Sequence, residues 1–292
     1  FMAWRNLWRN PIRSGLTISA LAGGLVMVIL YSALLEGMVD QMTASATERT
    51  TGHVQLQRRA FIDDRDLYAT LPDDWAETLE ARVDGIQATP RLYAAGLASA
   101  RQTSYGVMIE AVDPAGERRV TSMLDHLRAG TATIDRLSED ERPRHQVLVG
   151  AQLAKNMQLA PGSELVLVTQ AADGSIGNDL YRVAGILKPL SPDFDRSGVL
   201  MAIAAYRDLM YLEQGVHELA IRLDRPDELT ATQQRIREVV DRLVAERPLD
   251  ELGGPAVVRN WREINPAVAD MLALSETMLL IIGLIVIGLA AM

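Results

Sequence analysis

Hydrophobic and polar positions divide the chain into three stretches of different rhythm. From Gly15 to Met38, "GLTISALAGGLVMVILYSALLEGM", apolar residues follow one another with no charge before Glu36. At 1.5 Å per residue this run reaches about 36 Å, enough to cross a bilayer core with some tilt. A second run, "MLLIIGLIVIGLAAM" from Met278 to Met292, is uncharged, and with the weaker stretch from Ala267 it predicts a second helix. Between them the rhythm is mixed. Segments rich in branched residues predict strands at 52–57, 105–113, 146–150, 163–170, 181–188 and 218–223. Helices are expected at 73–83, 116–130, 151–159 and 229–246. Asp73 and Glu77 put negative charge in the first turn of one helix, and Gly130 stands where another should stop. "AADGSIGND", with its Asp-Gly pair between two strands, reads as a hairpin tip.

Ahead of the first apolar run stands "AWRNLWRNPIRSG". Arg5, Arg9 and Arg13 recur at a helical period beside an apolar stripe of Trp4, Leu7 and Trp8, the pattern of a helix lying at a membrane surface. Tryptophan suits the boundary between an apolar slab and water, and arginine lays its stem on the apolar side while its head reaches phosphate. Pro11 ends or bends this helix. A cleavable signal peptide has a similar start, but the run after Gly15 is too long for one and no A-x-A-like cleavage site follows. At the other end a strand near 257 is expected to pass almost directly into the second span, with Trp261 at the headgroup boundary and Pro266 near the helix start. Within the first span Gly15, Ser19 and Gly23 form a small-residue row and Ala20 with Gly24 a second, a face that lets another helix approach closely. An apolar helix that stops at Met292, and a phenylalanine ahead of Met2, lead to the expectation that the sequence is part of a longer chain.

Charge sets the orientation. The three arginines before Gly15 favour a cytoplasmic N-terminus and so place the middle segment outside. The formal net charge is -9, and its acidic excess lies in that middle segment, which argues against a nucleic-acid partner. About 230 residues are enough for one large or two small domains. The chain has no cysteine, in keeping with an oxidising compartment, and offers no disulfide scaffold or cysteine metal site.

Catalytic motifs are missing. His53, His126, His145 and His217 show no metal spacing and are expected as ordinary surface or partly buried residues. "IDDRDLYATLPDD" lacks the glycine and terminal glutamate of a calcium loop. Neither lysine, Lys155 or Lys188, follows the glycines of a P-loop, and no G-x-S-x-G elbow occurs. Neither a catalytic residue nor a cofactor is therefore expected.

The order of segments resembles a known family. "RNLWRNPIRSGLTISAL", "TGHVQLQRRAFIDDRDLY", "GVMIEAVDPAGERRVTSMLDHLRAG", "VLVGAQLAKNMQLAPGSELVLVTQAADGS" and "YRVAGILKPLSPDFDRSGVLMA" are together similar to the permease subunit of MacB-like and FtsX-like ABC transporters, which include the lipoprotein-release (Lol) permeases. The resemblance implies an α+β membrane protein whose transmembrane helices flank a two-part extracytoplasmic domain, a porter-like βαβ half plus an inserted, mostly β half. The expected boundaries are an interfacial helix at 1–14, a first span at 15–39, a periplasmic core at 40–265 and a truncated second span at 266–292. Residues 40–113 and 213–265 would form the porter-like half and 114–212 the insert. The implied partners are a cytoplasmic ABC ATPase subunit, a second permease copy or related permease, membrane lipid, and a periplasmic carrier or lipoprotein. In that reading the bacterial inner-membrane permease couples ATP hydrolysis on the partner to movement of its periplasmic domain, for lipoprotein release or export of amphiphiles. An extracytoplasmic ligand sensor with two flanking spans has the same layout and is the alternative; an anchored enzyme is the third.

Overall fold

The computed structural model describes residues 11–131, 134 and 146–291. The chain forms two units, Ala46–Ile264 and a helical unit from Phe1–Ser45 and Asn265–Met292.

The helical unit contains α1, Pro11–Ala46 (36 residues), and α10, Pro266–Ala291 (26 residues). Leu25, Val26, Met27, Ile29, Leu30 and Leu34 are exposed on α1, as are Leu274, Leu280, Ile281 and Leu284 on α10. Tyr31, Leu35 and Met38 face Met271, Leu274 and Met278 across a cavity of about 160 Å³. Pro266 begins α10, where its missing donor costs nothing, and Asn265 O accepts the Val268 and Ala269 N–H groups, each at 3.1 Å. Among the described residues no helix is long and apolar enough to cross a membrane, so the two spans remain a reading of the sequence.

The unit Ala46–Ile264 is built on a 10-stranded sheet. Its strands are β1 Val54–Arg58, β2 Ile86–Ala100, β3 Thr103–Val112, β4 Leu127–Gly130, β5 Gln146–Val149, β6 Glu164–Gln170, β7 Ile176–Leu187, β8 Gly198–Ala202, β9 Glu218–Leu223 and β10 Ala256–Asn260, in the order β10-β1-β9-β2-β3-β8-β5-β7-β4. β6 pairs both β2 and β7. The pairings β2–β3, β3–β8, β8–β5, β5–β7, β7–β6 and β6–β2 therefore close a ring of six strands. Closure removes the free edges that would otherwise invite pairing with another chain.

β2 belongs to both parts of this sheet. Residues 86–91 pair with β9, while 96–99 pair with β6. The sequence reading missed this 15-residue strand because Pro90 and a run of alanine and glycine lower its intrinsic preference; ladders to three neighbours override that preference. β8 was missed as well. The other expected strands are present, and 171–175 forms the hairpin tip, with Gly174 at φ +83° and Asp173 Oδ1 accepting the Ser175 N–H at 2.9 Å.

Helices cover the sheet. α3 (Trp75–Arg82), α5 (Ala151–Met157) and α8 (Leu229–Glu246) lie where the pattern predicts helix. α8 buries Leu229, Thr232, Gln233, Ile236, Val239, Val240 and Leu243, one face at helical spacing. The helix expected over 116–130 is corrected. α4 spans Pro114–Val120, started by Asp113 Oδ2 accepting the Gly116 N–H at 2.8 Å, and the chain then turns so that β4 can pair with β7. Gly130 ends a strand, not a helix; at φ +84° an added Cβ would lie 2.2 Å from Ala184 O. A second core sits beside this turn, where Val112, Met123, Leu124, Leu148, Leu187 and Leu200 pack together.

Ile236 is fully buried on α8. Truncating it to alanine is expected to destabilise the domain by about 2–5 kcal/mol, the usual cost of a cavity left by an isoleucine. Urea denaturation of the solubilised chain checks this; a loss under about 0.5 kcal/mol would show that the α8 face is not part of the cooperative core.

Candidate functional site

Strand registry lines polar groups across one face of the sheet. Arg91 on β2 stands opposite Glu218 on β9, Glu218 stands opposite Gln57 on β1, and Tyr93, two residues beyond Arg91, stands opposite Glu110 on β3. α4 adds Glu117 from above. Arg91 Nε donates to Glu117 Oε2 at 3.0 Å and Nη2 to Oε1 at 2.6 Å, a bidentate pair in which both residues are buried. Arg91 Nη1 lies 3.3 Å from Glu218 Oε1 and 3.8 Å from Glu110 Oε1. Gln57 Nε2 donates to the other Glu218 oxygen at 2.7 Å.

Three carboxylates thus surround one guanidinium. Burial works against the charged form of Arg91, but Glu117 above all, then Tyr93, Glu110 and Glu218, hold its pKa well above the ordinary value. The carboxylates share that one charge unequally. Glu110, farthest from Arg91, is pushed up to about 7, first by burial and then by Glu117 and Glu218, against the pull of Arg91. Glu218 is raised too, chiefly by burial. Tyr93 shares their surroundings, and burial first, then the charges of Glu218 and Glu110, raises its pKa well above the ordinary value.

Tyr93 links this cluster to a cleft. Its ring stacks on Phe61, 5.8 Å between centroids, and Phe61 stacks in turn on His217 at 4.8 Å. Phe61 belongs to α2, Arg59–Asp64, and is buried. His217 Nδ1 accepts the Tyr93 N–H at 2.9 Å and its Nε2 lies 3.0 Å from Leu67 O, so the proton sits on Nε2. Burial lowers this histidine's pKa to about 4. Beside these rings lies a cleft of about 470 Å³ lined by Phe61, Arg65, Tyr68, Tyr93, Met108 and Ala172, within the range of ~300–1,000 Å³ typical of small-ligand sites. The Tyr68 hydroxyl donates to Ala172 O, tying the hairpin tip to the segment after α2.

The residues singled out by sequence fare differently. Trp4, Arg5, Trp8 and Arg9 lie outside the described residues, and of Arg13 only the helical backbone is described. Trp261, expected at a headgroup boundary, is buried at 5% exposure in the domain, with its backbone N–H donating to His53 O at 2.9 Å and the Arg262 guanidinium 5.3 Å over its ring. Gly15, Ser19, Ala20, Gly23 and Gly24 all lie on α1. An added Cβ at Gly15, Gly23 or Gly24 would meet nothing within 4 Å, and the Ser19 hydroxyl turns back to Gly15 O at 2.8 Å. His53 and His217 prove to be buried members of the core, accepting backbone N–H groups. Among the described residues no group of His, Asp and Glu could hold a metal ion.

The Arg91 cluster escaped sequence reading, since its members stand alone in otherwise ordinary strands. Signals were present all the same: an arginine inside a strand, Glu218 opening another, and Glu117 just after an Asp-Pro helix start. None of them says which carboxylate meets which arginine until the strands are paired.

Comparison with known proteins gives this fold a family. The family described as the MacB-like periplasmic core domain matches residues 14–239. The chain belongs to it, and with it to the MacB-like and FtsX-like permeases of ABC-type transporters. The periplasmic region of MacB from Actinobacillus actinomycetemcomitans shares the fold, with a TM-score of 0.51 and 13% identity over 77% of this chain and 95% of that one. The extracellular domain of the noncanonic ABC-type transporter YknZ from Gram-positive bacteria aligns with a TM-score of 0.47 and 12% identity over 71% of this chain and 99% of that one. No curated protein matches the chain.

The buried groups make stability pH-dependent in opposite senses. With its folded pKa raised to about 7, Glu110 contributes stability that is full below about pH 4.5 and is lost as pH rises toward 7. His217, depressed to about 4, contributes stability that is full above about pH 6.5 and is lost as pH falls toward 4. In a Glu110→Gln variant the first slope disappears. Its stability relative to the parent is expected to increase as pH climbs from about 4.5 to 7 and then to level off, by up to about 3 kcal/mol. Denaturation of both chains across that range measures it, and a pH-independent difference would mean that Glu110 titrates normally.

Proposed function

We propose that this chain is the permease subunit of an ABC transporter, working with a separate cytoplasmic ATPase and a second permease copy or related permease. The observation that carries the reading is that the family match runs from α1 into the domain, and that the domain is flanked by two long helices whose described apolar side chains are largely exposed. Apolar surface on that scale needs a cover, and lipid is the cover that the uncharged sequence from Ser14 to Leu35 suits. In this proposal 15–39 and 266–292 cross the inner membrane and 1–14 lies along the cytoplasmic leaflet, with Trp4 and Trp8 at its boundary. Residues 40–265 are extracytoplasmic, with 40–113 and 213–265 as the porter-like half and 114–212 as the insert.

The proposed mechanism is mechanical. Among the described residues no group of His, Asp and Glu could hold a metal ion, and the sequence holds no P-loop. ATP-driven rearrangement of the spans would pass through the junctions at Ala46 and Ile264 into the outer domain. The cargo class proposed is a lipoprotein or another amphiphile taken from the membrane face, handed to a periplasmic carrier.

Topology is testable at the hairpin tip, where Asp173 is exposed whereas Ala171 is buried. A cysteine at Asp173 is expected to react with a membrane-impermeant thiol reagent in intact spheroplasts; reaction only after lysis would invert the orientation. Coupling is tested by a flexible Gly-Ser insertion after Ile264 in the full-length protein assembled with its ATPase. Loss of transport with ATP hydrolysis retained is expected, and undiminished transport would exclude a mechanical role for that junction.

A further inference from the structure

The cleft beside Tyr93 has a chemistry that the mechanical reading leaves unused. Its lining is mostly apolar, made of the rings of Phe61, Tyr68 and Tyr93, the Met108 side chain and small alanines from β2 and the hairpin. One charged side chain lines it, Arg65. This residue is held in the left-handed region at φ 56° as the C-cap of α2, and its guanidinium stands 5.2 Å over the Phe61 ring. Of the neighbouring acids, Asp63 pairs with Arg59 at 3.9 Å and Asp66 accepts the Tyr68 N–H at 2.9 Å. Among the described residues Arg65 has no carboxylate partner. Positive charge also gathers around it. The pKa of Arg259, whose Nε is buried without a partner, is lowered by burial and, against Glu218, by the charges of Arg65 and Arg59.

An apolar slot with a single cation at its rim defines its ligand by elimination. A peptide would leave its amides without partners in such a lining, and a cationic amphiphile would meet Arg65. A two-chain lipid needs more room than about 470 Å³ offers. We propose that this cleft binds a single-chain anionic amphiphile, with its acidic head on Arg65 and its chain between Phe61, Tyr93, Met108 and the hairpin tip. The site is a ligand site of the domain itself and does not depend on the transport reading, since binding needs neither ATP nor a partner.

The test uses the full-length protein in lipid nanodiscs and laurate carrying a photoactivatable diazirine on its chain, followed by peptide mapping of the crosslinks. Crosslinks are expected within 61–68, 93–95, 108 and 170–172. Unlabelled laurate is expected to compete about tenfold better than the uncharged alcohol of the same length, because the charge-assisted contact is lost in the alcohol. Arg65 and Ala95 are both exposed, and circular dichroism of each variant checks that the fold is kept. Arg65→Gln is expected to lower the apparent affinity about tenfold, and Ala95→Trp, which fills the slot, is expected to abolish labelling. A parallel arm uses phosphatidylglycerol with the same photoreactive group. Labelling of the cleft by that lipid in place of laurate, or laurate labelling unchanged in both variants, overturns the proposal, as does labelling confined to other peptides.

Discussion

Arg91 ties together parts of the chain that lie far apart in sequence. Its guanidinium joins β2 to Glu117 on α4 and Glu218 on β9. Between those two carboxylates lie about a hundred residues, a loop whose closure entropy has to be offset by contacts at its base. The segment that supplies β4 to β8 departs just after Glu117 and returns just before Glu218, so one buried cation secures both of its ends. Such an arrangement does not have to add net stability, because desolvation of the charges cancels much of their attraction. What it does impose is register. A slip of one residue in β2 or β9 would move the arginine or its partner to the opposite face and leave a charge buried without an answer.

That constraint has a chemical by-product. Three carboxylates on one guanidinium cannot all remain charged at low cost in a buried site, and the one with the longest contact, Glu110 at 3.8 Å, takes up the excess as a raised pKa. Tyr93 sits between this cluster and the cleft, opposite Glu110 in the strand ladder and with its ring stacked on Phe61. The floor of the cleft is therefore set by the same registry that positions Arg91. His217 adds to its rigidity, because its two ring nitrogens engage the backbone at Tyr93 and Leu67 while its ring stacks on Phe61.

Much of the secondary structure was legible in the order of residues, because local periodicity carries it. α8 was expected at 229–246 and β9 at 218–223, and each occupies that span; both show one-sided or continuous apolar patterns that need no knowledge of neighbours. The hairpin tip at 171–175 followed from Asp-Gly. Segment order also sufficed to indicate the family. Where local signals competed with distant ones, the reading failed. The stretch 116–130 looked helical throughout, but the helix ends at Val120 and Leu127–Gly130 pairs with β7.

Tertiary structure alone decided the rest. β2 is a strand because β9, β3 and β6 supply its ladder, while its own alanines, glycine and proline argue against one. Arg91, Glu110, Glu117 and Glu218 become a cluster only when strands from remote parts of the chain are laid side by side in register. The cleft likewise needs residues from α2, β2, β3 and the hairpin at once. Sequence by itself determined the apolar runs, the acidic middle, the strand and helix periods and the family. Registry, buried charge and cavity shape were decided by packing, because they depend on distances between residues that the chain keeps far apart until it folds.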